Sequence, residues 1–505
     1  VTLDRISTPS TVASVTSSSG DITVGNVSTS SSGQVSLTAS AGAILDDGNS
    51  ATRIVTGTVS LNASGAIGSA SHAVQTQTTG LAATSTGDLF VTNTDATLTS
   101  LSITNRHSAP GHAGTLQVTS PYLTFDVTDT GTSYTLDRLV SVPLGSLSFS
   151  GDATLQLGQV QAAGSVSLTA TQGHLVDDGN LQSRVTSGST LTLSAAQGSV
   201  GSLANPIGAN ASALALTTRG DLYVNSLSDL STLTVTSNHP DTTTSYGMGI
   251  AAPSLKLSVS DSVAGHNVAT LTDNSSLSLT FTSDRHITLG QVDVTHTGTA
   301  SFTSTAGSIK DDGNKNTRVL ANSTTLSGQA VGASGANHMD VVTGTLAATA
   351  SAGGVYVEVP MPTGSTNTTS TVTLGTITAT GPVAITALEG DLSLGGSLTA
   401  TNQAVSLTAT QGAILSPSGY SIGIGTGSLT LQAARSIGSS GSALPVTSSS
   451  GATLSAQAGT SMWLSSSGPM TLSSLDAGTS ISYTQSSGAI TVGHVDATAG
   501  GTVSI

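Results

Sequence analysis

The sequence predicts an all-β chain that folds as an elongated parallel β-solenoid, with coils of about 20–24 residues and with hairpin or loop excursions. Three observations lead to this prediction. Hydrophobic residues alternate with polar ones, a short spacing recurs inside longer repeats, and charged and aromatic residues make up only 8% and 3% of the 505 residues. The scarcity of aromatic residues leaves mainly small side chains to form a thin core.

Short segments with a hydrophobic residue at every second position recur along the chain. Examples are VSLTA at Val35, LTLSA at Leu191 and LYVNS at Leu222. A period of two is typical of a strand with one buried face. The abundant Gly and β-branched residues disfavour helix, so strands are expected throughout.

Similar strand segments return after about 20 residues. VSLTA at Val35, VSLNA at Val59, LAATS at Leu81 and LSITN at Leu101 are separated by 24, 22 and 20 residues. This spacing indicates a solenoid, in which stacking completes the core and pairs the backbone groups of each coil. Tandem immunoglobulin-like sandwiches would need units of roughly 100 residues, so the short spacing argues against them.

A longer repeat contains about six coils. GDLFV at Gly87, GDLYV at Gly220 and GGVYV at Gly353 are each 133 residues apart. At about 4.8 Å per coil, one repeat would rise roughly 29 Å. We divide the chain into the end of a preceding repeat (1–24), repeat 1 (25–157), repeat 2 (158–289), repeat 3 with a divergent second half (290–395), a shortened repeat 4 (396–492) and the start of a further repeat (493–505).

Composition excludes several classes of function. The net charge is −15 and no basic patch is present, so nucleic-acid binding is not expected. No apolar run reaches about 18 residues, so membrane insertion is not expected. Cysteine is absent, which excludes disulfides and thiolate chemistry and is common in exported bacterial proteins. The chain starts at Val1 without a visible signal peptide, so we expect a processed chain or a piece of a longer one.

A polar segment, Asp-Asp-Gly-Asn followed by Arg, occurs three times, at 42–53, 173–184 and 307–318. We expect a corner in which Gly adopts positive φ, Asp and Asn cap the turn, and Arg pairs with those carboxylates or with the next coil. The structural residues would be Gly48, Arg53, Gly179, Arg184, Gly313 and Arg318.

A calcium site at the same corners is the weaker alternative, because calcium takes six to eight oxygen ligands. Its candidate ligands are Asp46, Asp47, Asn49, Asp177, Asp178, Asn180, Asp311, Asp312 and Asn314. No other cofactor is expected. The Asp pairs would lie roughly 29 Å apart, too far to act on one glycosidic bond, so we predict no enzyme.

Aromatic residues occupy one position of each repeat. With Leu222 and Val224 pointing into the core, Tyr223 would point outward. The aromatic residues at this position are Phe90, Tyr223, Tyr356 and Trp463. They would form a contact strip for neighbouring rods or for a ligand, or each ring would cover the next coil. The tripeptide Arg219-Gly220-Asp221 lies at a strand start rather than on a protruding loop, which argues against an integrin ligand.

Two segments, 105–138 and 238–274, interrupt the short spacing at the same place in successive repeats. They are enriched in Pro, Tyr, His and Asp. We expect loops or hairpins here, and specific recognition is most readily built on such segments.

The segments GDITVGNVSTSSSGQVSLTASAGAILDDG (20–48) and GSVSLTATQGHLVDDGN (164–180) resemble the repeat regions of filamentous haemagglutinin-type exoproteins. Those are bacterial proteins exported by two-partner secretion. The resemblance implies a right-handed parallel β-helix displayed outside the cell, with a role in adhesion, aggregation or biofilm.

We therefore expect an extracellular bacterial adhesin or adhesin stalk. Its partners would be further copies of the chain, or glycans and proteins of cell surfaces and matrix. The alternative is a self-assembling filament, sheath or surface layer, since exposed solenoid ends favour stacking.

Overall fold

The computed structural model describes residues 1–9, 11–95, 97–106, 113–141, 144–238, 246–262, 265–273, 277–294, 298–360, 371–498 and 500–505. The chain forms two compact units, of which the first ends at Pro253 and the second begins at Ser254. This boundary lies inside repeat 2. Together the units contain about 21 coils of about 22 residues.

Unit 1 consists of strands joined by short turns. They are β1 (Thr2–Ser7), β2 (Val12–Ser17), β3 (Ile22–Ser28), β4 (Gln34–Ala39), β5 (Ile44–Asp46), β6 (Ile54–Val55), β7 (Thr58–Ala63), β8 (Val74–Gln77), β9 (Gly80–Ser85), β10 (Leu89–Asn93), β11 (Ser100–Asn105), β12 (Gly114–Ser120), β13 (Leu123–Asp129), β14 (Ser133–Ser141), β15 (Ser146–Gly151), β16 (Thr154–Ala162), β17 (Ser165–Ala170), β18 (Leu175–Asp177), β19 (Val185–Ser187), β20 (Thr190–Ala195), β21 (Ile207–Asn210), β22 (Ala213–Thr218), β23 (Leu222–Ser226), β24 (Thr232–Ser237) and β25 (Gly247–Ala252).

Unit 2 has the same character and adds one short 3₁₀ turn at Gly335–Asn337. Its strands are β26 (Leu255–Ser262), β27 (Gly265–Asp273), β28 (Ser278–Ser283), β29 (Ile287–Asp293), β30 (Thr299–Ser304), β31 (Ile309–Asp311), β32 (Val319–Gly328), β33 (Met339–Ala350), β34 (Val355–Val359), β35 (Thr371–Ala379), β36 (Val383–Ala387), β37 (Asp391–Leu394), β38 (Leu398–Thr399), β39 (Val405–Ala409), β40 (Ile414–Leu415), β41 (Ile422–Gly425), β42 (Ser428–Ala433), β43 (Leu444–Ser448), β44 (Thr453–Ala458), β45 (Met462–Ser467), β46 (Met470–Ala477), β47 (Ile481–Gln485), β48 (Ile490–Ala497) and β49 (Val503–Ser504).

Parallel ladders join each coil of unit 1 to the next. Val35 aligns with Val59, Val59 with Leu81, and Leu81 with Leu101. The prediction from the 24, 22 and 20 residue spacings is therefore confirmed, because those four positions stack in register. The same column continues through Leu147, Val166, Leu191, Leu214 and Leu233.

Unit 2 repeats this arrangement. A parallel column of fully buried residues runs through Val355, Val383, Val405, Leu429, Leu454 and Leu472. Each of these strands buries every second side chain, so a continuous aliphatic core runs beneath the ladder. None of the described residues forms a helix with the length and apolarity needed to cross a bilayer.

The two predicted interruptions contain antiparallel hairpins that stay within the sheets. In unit 1, β12 pairs in parallel with β10 and antiparallel with β13, β13 pairs with β14, and β14 pairs in parallel with β16. On the facing side, Leu101 of β11 pairs directly with Leu147 of β15. The hairpin thus adds strands to one side of the coil only. In unit 2, β26 and β27 form a similar antiparallel pair. Residues 107–112, 239–245, 263–264 and 274 of the interruptions lie outside the described part.

Large side chains fill the core beside the added strands. Phe125, Tyr134 and Phe149 are fully buried, and their rings contact with centroids 5.7 and 5.6 Å apart. In unit 2, Phe281 and Phe302 pack at 6.5 Å. One side of these coils contains more strand than the other, so the interior is wider there and needs larger residues to reach normal packing density.

Candidate functional site

The first Asp-Asp-Gly-Asn segment forms a tight corner after β5. Asp46 Oδ1 accepts a hydrogen bond from Gly48 N–H at 2.9 Å. Asp47 Oδ1 accepts from Asn49 N–H at 2.9 Å and from the Thr52 hydroxyl at 2.6 Å. Gly48 has φ +81°, where a side chain would strain the backbone. The corner is thus a series of side-chain-capped turns.

The other two copies have the same corner. Gly179 and Gly313 both have φ +78°. In the second copy, Gly179 N–H bonds Asp177 Oδ1 at 2.8 Å, Asn180 N–H bonds Asp178 Oδ1 at 2.9 Å, and the Ser183 hydroxyl bonds Asp178 Oδ2 at 2.6 Å. In the third copy, Gly313 N–H bonds Asp311 Oδ1 at 2.7 Å, Asn314 N–H bonds Asp312 Oδ1 at 2.9 Å, and the Thr317 hydroxyl bonds Asp312 Oδ1 at 2.7 Å. A calcium ion at a corner would have to compete with these bonds.

The first carboxyl of each corner is partly desolvated. Burial raises the pKa of Asp46, Asp177 and Asp311 above the ordinary value, although the Gly N–H bond lowers it in part, and the adjacent Asp raises it further. The fold therefore disfavours negative charge at these three positions.

The arginines of the three segments are half-buried and have different surroundings. Arg53 Nη1 donates to Thr94 Oγ1 at 3.4 Å. Arg184 lines a groove beside its corner. Arg318 lies close enough to Asp340 to lower the pKa of that carboxyl. The expected pairing of each Arg with the carboxylates of its own corner stays a prediction.

Beyond each corner, a column of two outward positions continues onto the next coils. The residue on the next coil donates its backbone N–H to the first Asp of the corner, which is Asp46, Asp177 or Asp311. The residue on the coil after that is its partner in a parallel ladder. The residues are Gln75 and Thr92 in the first copy, Gly208 and Asn225 in the second, and Asp340 and Glu358 in the third. Only the third copy therefore continues Asp311 with two further carboxylates. Sequence reasoning missed them, although an acidic residue inside an otherwise alternating strand was the available signal.

A groove of about 200 Å³ adjoins the second corner. Asp177, Arg184 and Asn225 contribute polar groups to it, and Leu181 and Leu227 contribute apolar surface. Leu181 is 94% exposed and Leu227 53%. Serine and lysine replace Leu181 in the other two copies, so this apolar surface is specific to the second.

The added strands of unit 1 bear a larger groove of about 590 Å³. Its walls are the outward side chains of β13, such as Asp126, and those of β14, such as Asp137 and Arg138. Tyr122, in the turn of the hairpin, also lines the groove and is 65% exposed. The groove thus combines carboxylates, a guanidinium, hydroxyls and an aromatic ring, all open to water.

The aromatic positions of the repeats face outward and are half-buried. Tyr223 covers Gly247 and Gly249 of the next coil, and Tyr356 stacks on His338 with centroids 6.1 Å apart and planes 8° apart. A role as a contact strip for neighbouring rods stays a prediction. The remaining members, Phe90 and Trp463, pair with Gln117 and Ser482 of the next coil.

A glycine with positive φ precedes each aromatic position by one coil. A Cβ on Gly201 would overlap the carbonyl oxygen of Tyr223 and lie 3.1 Å from Ile207 N. The same overlap occurs at Gly68, Gly332 and Gly438, against the carbonyls of Phe90, Tyr356 and Trp463. These glycines were not singled out from the sequence, although the segments around them recur with the repeats.

The Arg219-Gly220-Asp221 tripeptide is held in a coil corner. The Arg219 guanidinium donates to the Gln197 side chain. Gly220 is buried and its N–H bonds Gly198 O at 3.0 Å. Asp221 Oδ1 accepts from Gly247 N–H at 2.7 Å. Each member is thus engaged within the fold.

Among the described residues, one group of three potential metal ligands has all its ligand atoms within 4.8 Å of one another, namely Asp476, His494 and Asp496. His494 Nε2 lies 3.2 Å from Asp476 Oδ1, and the two side chains are 64% and 38% exposed. Asp476 also accepts from the Ser474 hydroxyl at 2.6 Å. All three side chains are thus at least partly exposed to solvent, and His494 lies within ion-pair distance of Asp476.

Comparison of the chain with protein-family models, with curated proteins and with solved structures finds no match. The geometry above therefore stands alone in support of a function.

Proposed function

We propose that this chain is an extracellular bacterial adhesin or the stalk of one, in which stacked coils support the surface formed by the added hairpin strands. The observation that carries this proposal is the contrast between the uniform parallel coils and the antiparallel hairpins at equivalent places in successive repeats. The coils expose mainly small hydroxyl side chains, which offer little for specific recognition. The hairpin of unit 1 offers a groove.

A hydroxyl-rich, uncharged ligand such as a neutral glycan suits that groove. The carboxylates of Asp126 and Asp137 accept hydrogen bonds from hydroxyl groups, Arg138 donates them, and the Tyr122 ring offers a flat apolar surface. The volume of about 590 Å³ lies in the usual range for ligand sites. The net charge of −15 disfavours acidic glycans.

Attachment of the purified chain to host or bacterial cells tests this proposal. The variant carries Tyr122→Ala, Asp126→Asn and Arg138→Gln. The matched control carries the same changes at exposed positions elsewhere, Tyr420→Ala, Asp4→Asn and Arg5→Gln. Binding should fall about tenfold or more in the first variant, because a few central residues dominate recognition, and should persist in the control. An equal loss in both, or no saturable attachment of the parent chain, contradicts the proposal.

Lateral self-assembly is the second candidate function, and the exposed leucines of the second corner favour it. Leu181 and Leu227, which line the same groove, are 94% and 53% exposed, and exposed apolar clusters often mark contacts between proteins. Sedimentation velocity should then show concentration-dependent assembly that Leu181→Ser with Leu227→Ser abolishes. A monomer at all concentrations argues against this candidate.

A further inference from the structure

An imidazole and two carboxylates converge on the outer face of two consecutive coils of unit 2. Asp476 lies on β46, between the buried Leu475 and Ala477, and therefore points outward. His494 and Asp496 lie on β48, the neighbouring strand. One ligand atom of each of the three residues lies within 4.8 Å of the other two. The group thus joins a nitrogen ligand to two oxygen ligands.

The parallel ladder between β46 and β48 fixes these positions. Asp476 pairs with Asp496, and Ser474 pairs with His494. Paired residues of neighbouring strands lie about 4.8 Å apart, and residues two positions apart in a strand share one face. The convergence therefore follows from the register of the sheet and needs no loop to fold around a ligand.

The spacing of the first two ligand atoms suits a zinc ion. His494 Nε2 lies 3.2 Å from Asp476 Oδ1. Two atoms bound to one zinc ion at about 2.0–2.1 Å, with a tetrahedral angle of about 109°, lie about 3.3 Å apart. These two atoms are therefore already placed as neighbouring ligands. The Asp496 side chain is exposed, so rotation about its own bonds can bring its carboxylate to the same ion.

A hydroxyl outside the group orients the first carboxylate. Ser474 Oγ donates to Asp476 Oδ2 at 2.6 Å. This bond occupies Oδ2, while Oδ1 is the oxygen that lies next to His494. Hydrogen bonds from a second layer of residues commonly fix the orientation of metal ligands, so Ser474 is a positioning residue for Asp476.

The fold does not require these three residues. GHV at Gly493 corresponds to GNV at Gly25 and to GQV at Gly158 and Gly290. The places of Asp476, His494 and Asp496 are taken by Ser7, Asn26 and Ser28 in the first repeat, by Val140, Gln159 and Gln161 in the second, and by Thr272, Gln291 and Asp293 in the third. The same parallel ladder thus forms in those repeats without an imidazole and with at most one carboxylate.

We propose that Asp476, His494 and Asp496 bind a zinc ion that links β46 to β48. Zinc takes imidazole nitrogen and carboxylate oxygen in a four-coordinate shell, whereas calcium takes oxygen ligands, so the imidazole selects zinc over calcium. Water from the surrounding solvent fills the fourth position. The net charge of −15 also favours the approach of a cation.

Cobalt(II), a coloured substitute for zinc, provides the test. Titration of the full chain should give visible absorption that saturates at a single site, and zinc should displace the cobalt whereas calcium should not. His494→Asn and Asp476→Asn should each weaken binding at least about tenfold, because each removes a ligand. Ser474→Ala should weaken it about tenfold, the usual effect of losing a group that orients a ligand.

The matched control is Asp293→Asn. It changes the equivalent position of the third repeat, where Thr272 and Gln291 replace the other two ligands, and it should leave cobalt binding unchanged. Absence of saturable cobalt binding, binding that survives both His494→Asn and Asp476→Asn, or displacement of the cobalt by calcium would each overturn the proposal. Circular dichroism of each variant establishes that the coils are folded.

Hydrogen exchange tests the link between the two coils separately. Zinc at 100 times its Kd should slow exchange of the amides of 470–477 and 490–497 by up to about 100-fold, because opening of either strand must release the ion. The effect should disappear in His494→Asn. Zinc that binds without slowing this exchange would show that the ion does not join the coils, and would likewise overturn the proposal.

Discussion

Replacing Gly201 with alanine should destabilise the solenoid far more than replacing Gly179. Both glycines have positive φ, +67° and +78°, so each substitution carries the strain of a left-handed alanine, about 1–2 kcal/mol. A Cβ on Gly179 meets no heavy atom within 4 Å, whereas a Cβ on Gly201 overlaps the carbonyl oxygen of Tyr223. The difference between the two variants therefore isolates the close approach of consecutive coils.

The expected size of that difference follows from the local hydrogen bonds. To restore an ordinary C···O separation, the whole backbone of Tyr223, its N–H included, must withdraw from Gly201 by about 1 Å. The Tyr223 N–H donates to Val200 O at 2.8 Å, and such a movement takes it beyond bonding distance. Loss of a buried backbone hydrogen bond costs about 1–3 kcal/mol. Gly201→Ala should therefore cost about 2–5 kcal/mol in total, and Gly179→Ala about 1–2 kcal/mol.

Hydrogen exchange followed by mass spectrometry measures this difference locally. A single unfolding free energy is poorly defined for a repeat protein, because neighbouring coils open semi-independently. Amides of residues 198–224 should exchange about 5–150-fold faster in Gly201→Ala than in Gly179→Ala. Equal exchange in the two variants would show that the close approach of Tyr223 to Gly201 does not contribute to stability.

Three further predictions concern single side chains. Ser183→Ala removes the hydroxyl bond to Asp178 and should destabilise the second corner by about 1 kcal/mol, measured by exchange of its amides. Burial and the charge of Lys310 lower the pKa of His286, whose Nδ1 accepts from Ser308 N–H at 2.8 Å. Its stabilising effect is therefore complete above the ordinary His pKa and is lost as the pH falls through the lowered value, so local exchange should quicken on acidification. Tyr223→Ala uncovers the next coil and should cost about 1–2 kcal/mol in the same assay.

Each of these has a matched control. Ser189→Ala removes an exposed hydroxyl that lies outside the corner, between β19 and β20, and it should leave corner exchange unchanged. His286→Asn should remove the acid sensitivity near residue 308 while retaining it elsewhere. Tyr122→Ala removes a ring that is 65% exposed and should not affect stability. A corner unaffected by Ser183→Ala, pH-independent exchange in the parent chain, or an inert Tyr223→Ala would contradict the respective prediction.

The coil architecture could be predicted from sequence because it rests on periodicity. Alternation gives the strands, and the spacing of Val35, Val59, Leu81 and Leu101 gives the ladder, since equivalent residues of stacked coils align in register. Both signals are local and repeated, so chance variation at one coil does not hide them. The hand of the coil, by contrast, was implied only by the family resemblance and stays a prediction.

Features that depend on pairing between coils were not predictable in the same way. The hairpin of unit 1 was expected as an excursion, yet β12 and β13 remain in the sheet, because their buried side chains, such as Leu116 and Phe125, complete the core. The carboxylate column was missed because Asp311, Asp340 and Glu358 are 29 and 18 residues apart in sequence. Only the ladder register shows that they are neighbours.

Comparison among the repeats separates the positions that the fold constrains from those that it leaves free. Gly68, Gly201, Gly332 and Gly438 recur because the backbone of the next coil leaves no space for a Cβ. The position after each corner is free of this constraint. It is Gln75, Gly208 or Asp340 in the three copies, and all three copies form the same corner. Burial, Asp311 and Glu358 raise the pKa of Asp340 to about 6, so the third copy keeps a carboxylate where the fold disfavours its charge. A residue that recurs at one position of the repeat therefore marks close backbone contact, whereas variation marks positions on which the turn and the ladder do not depend.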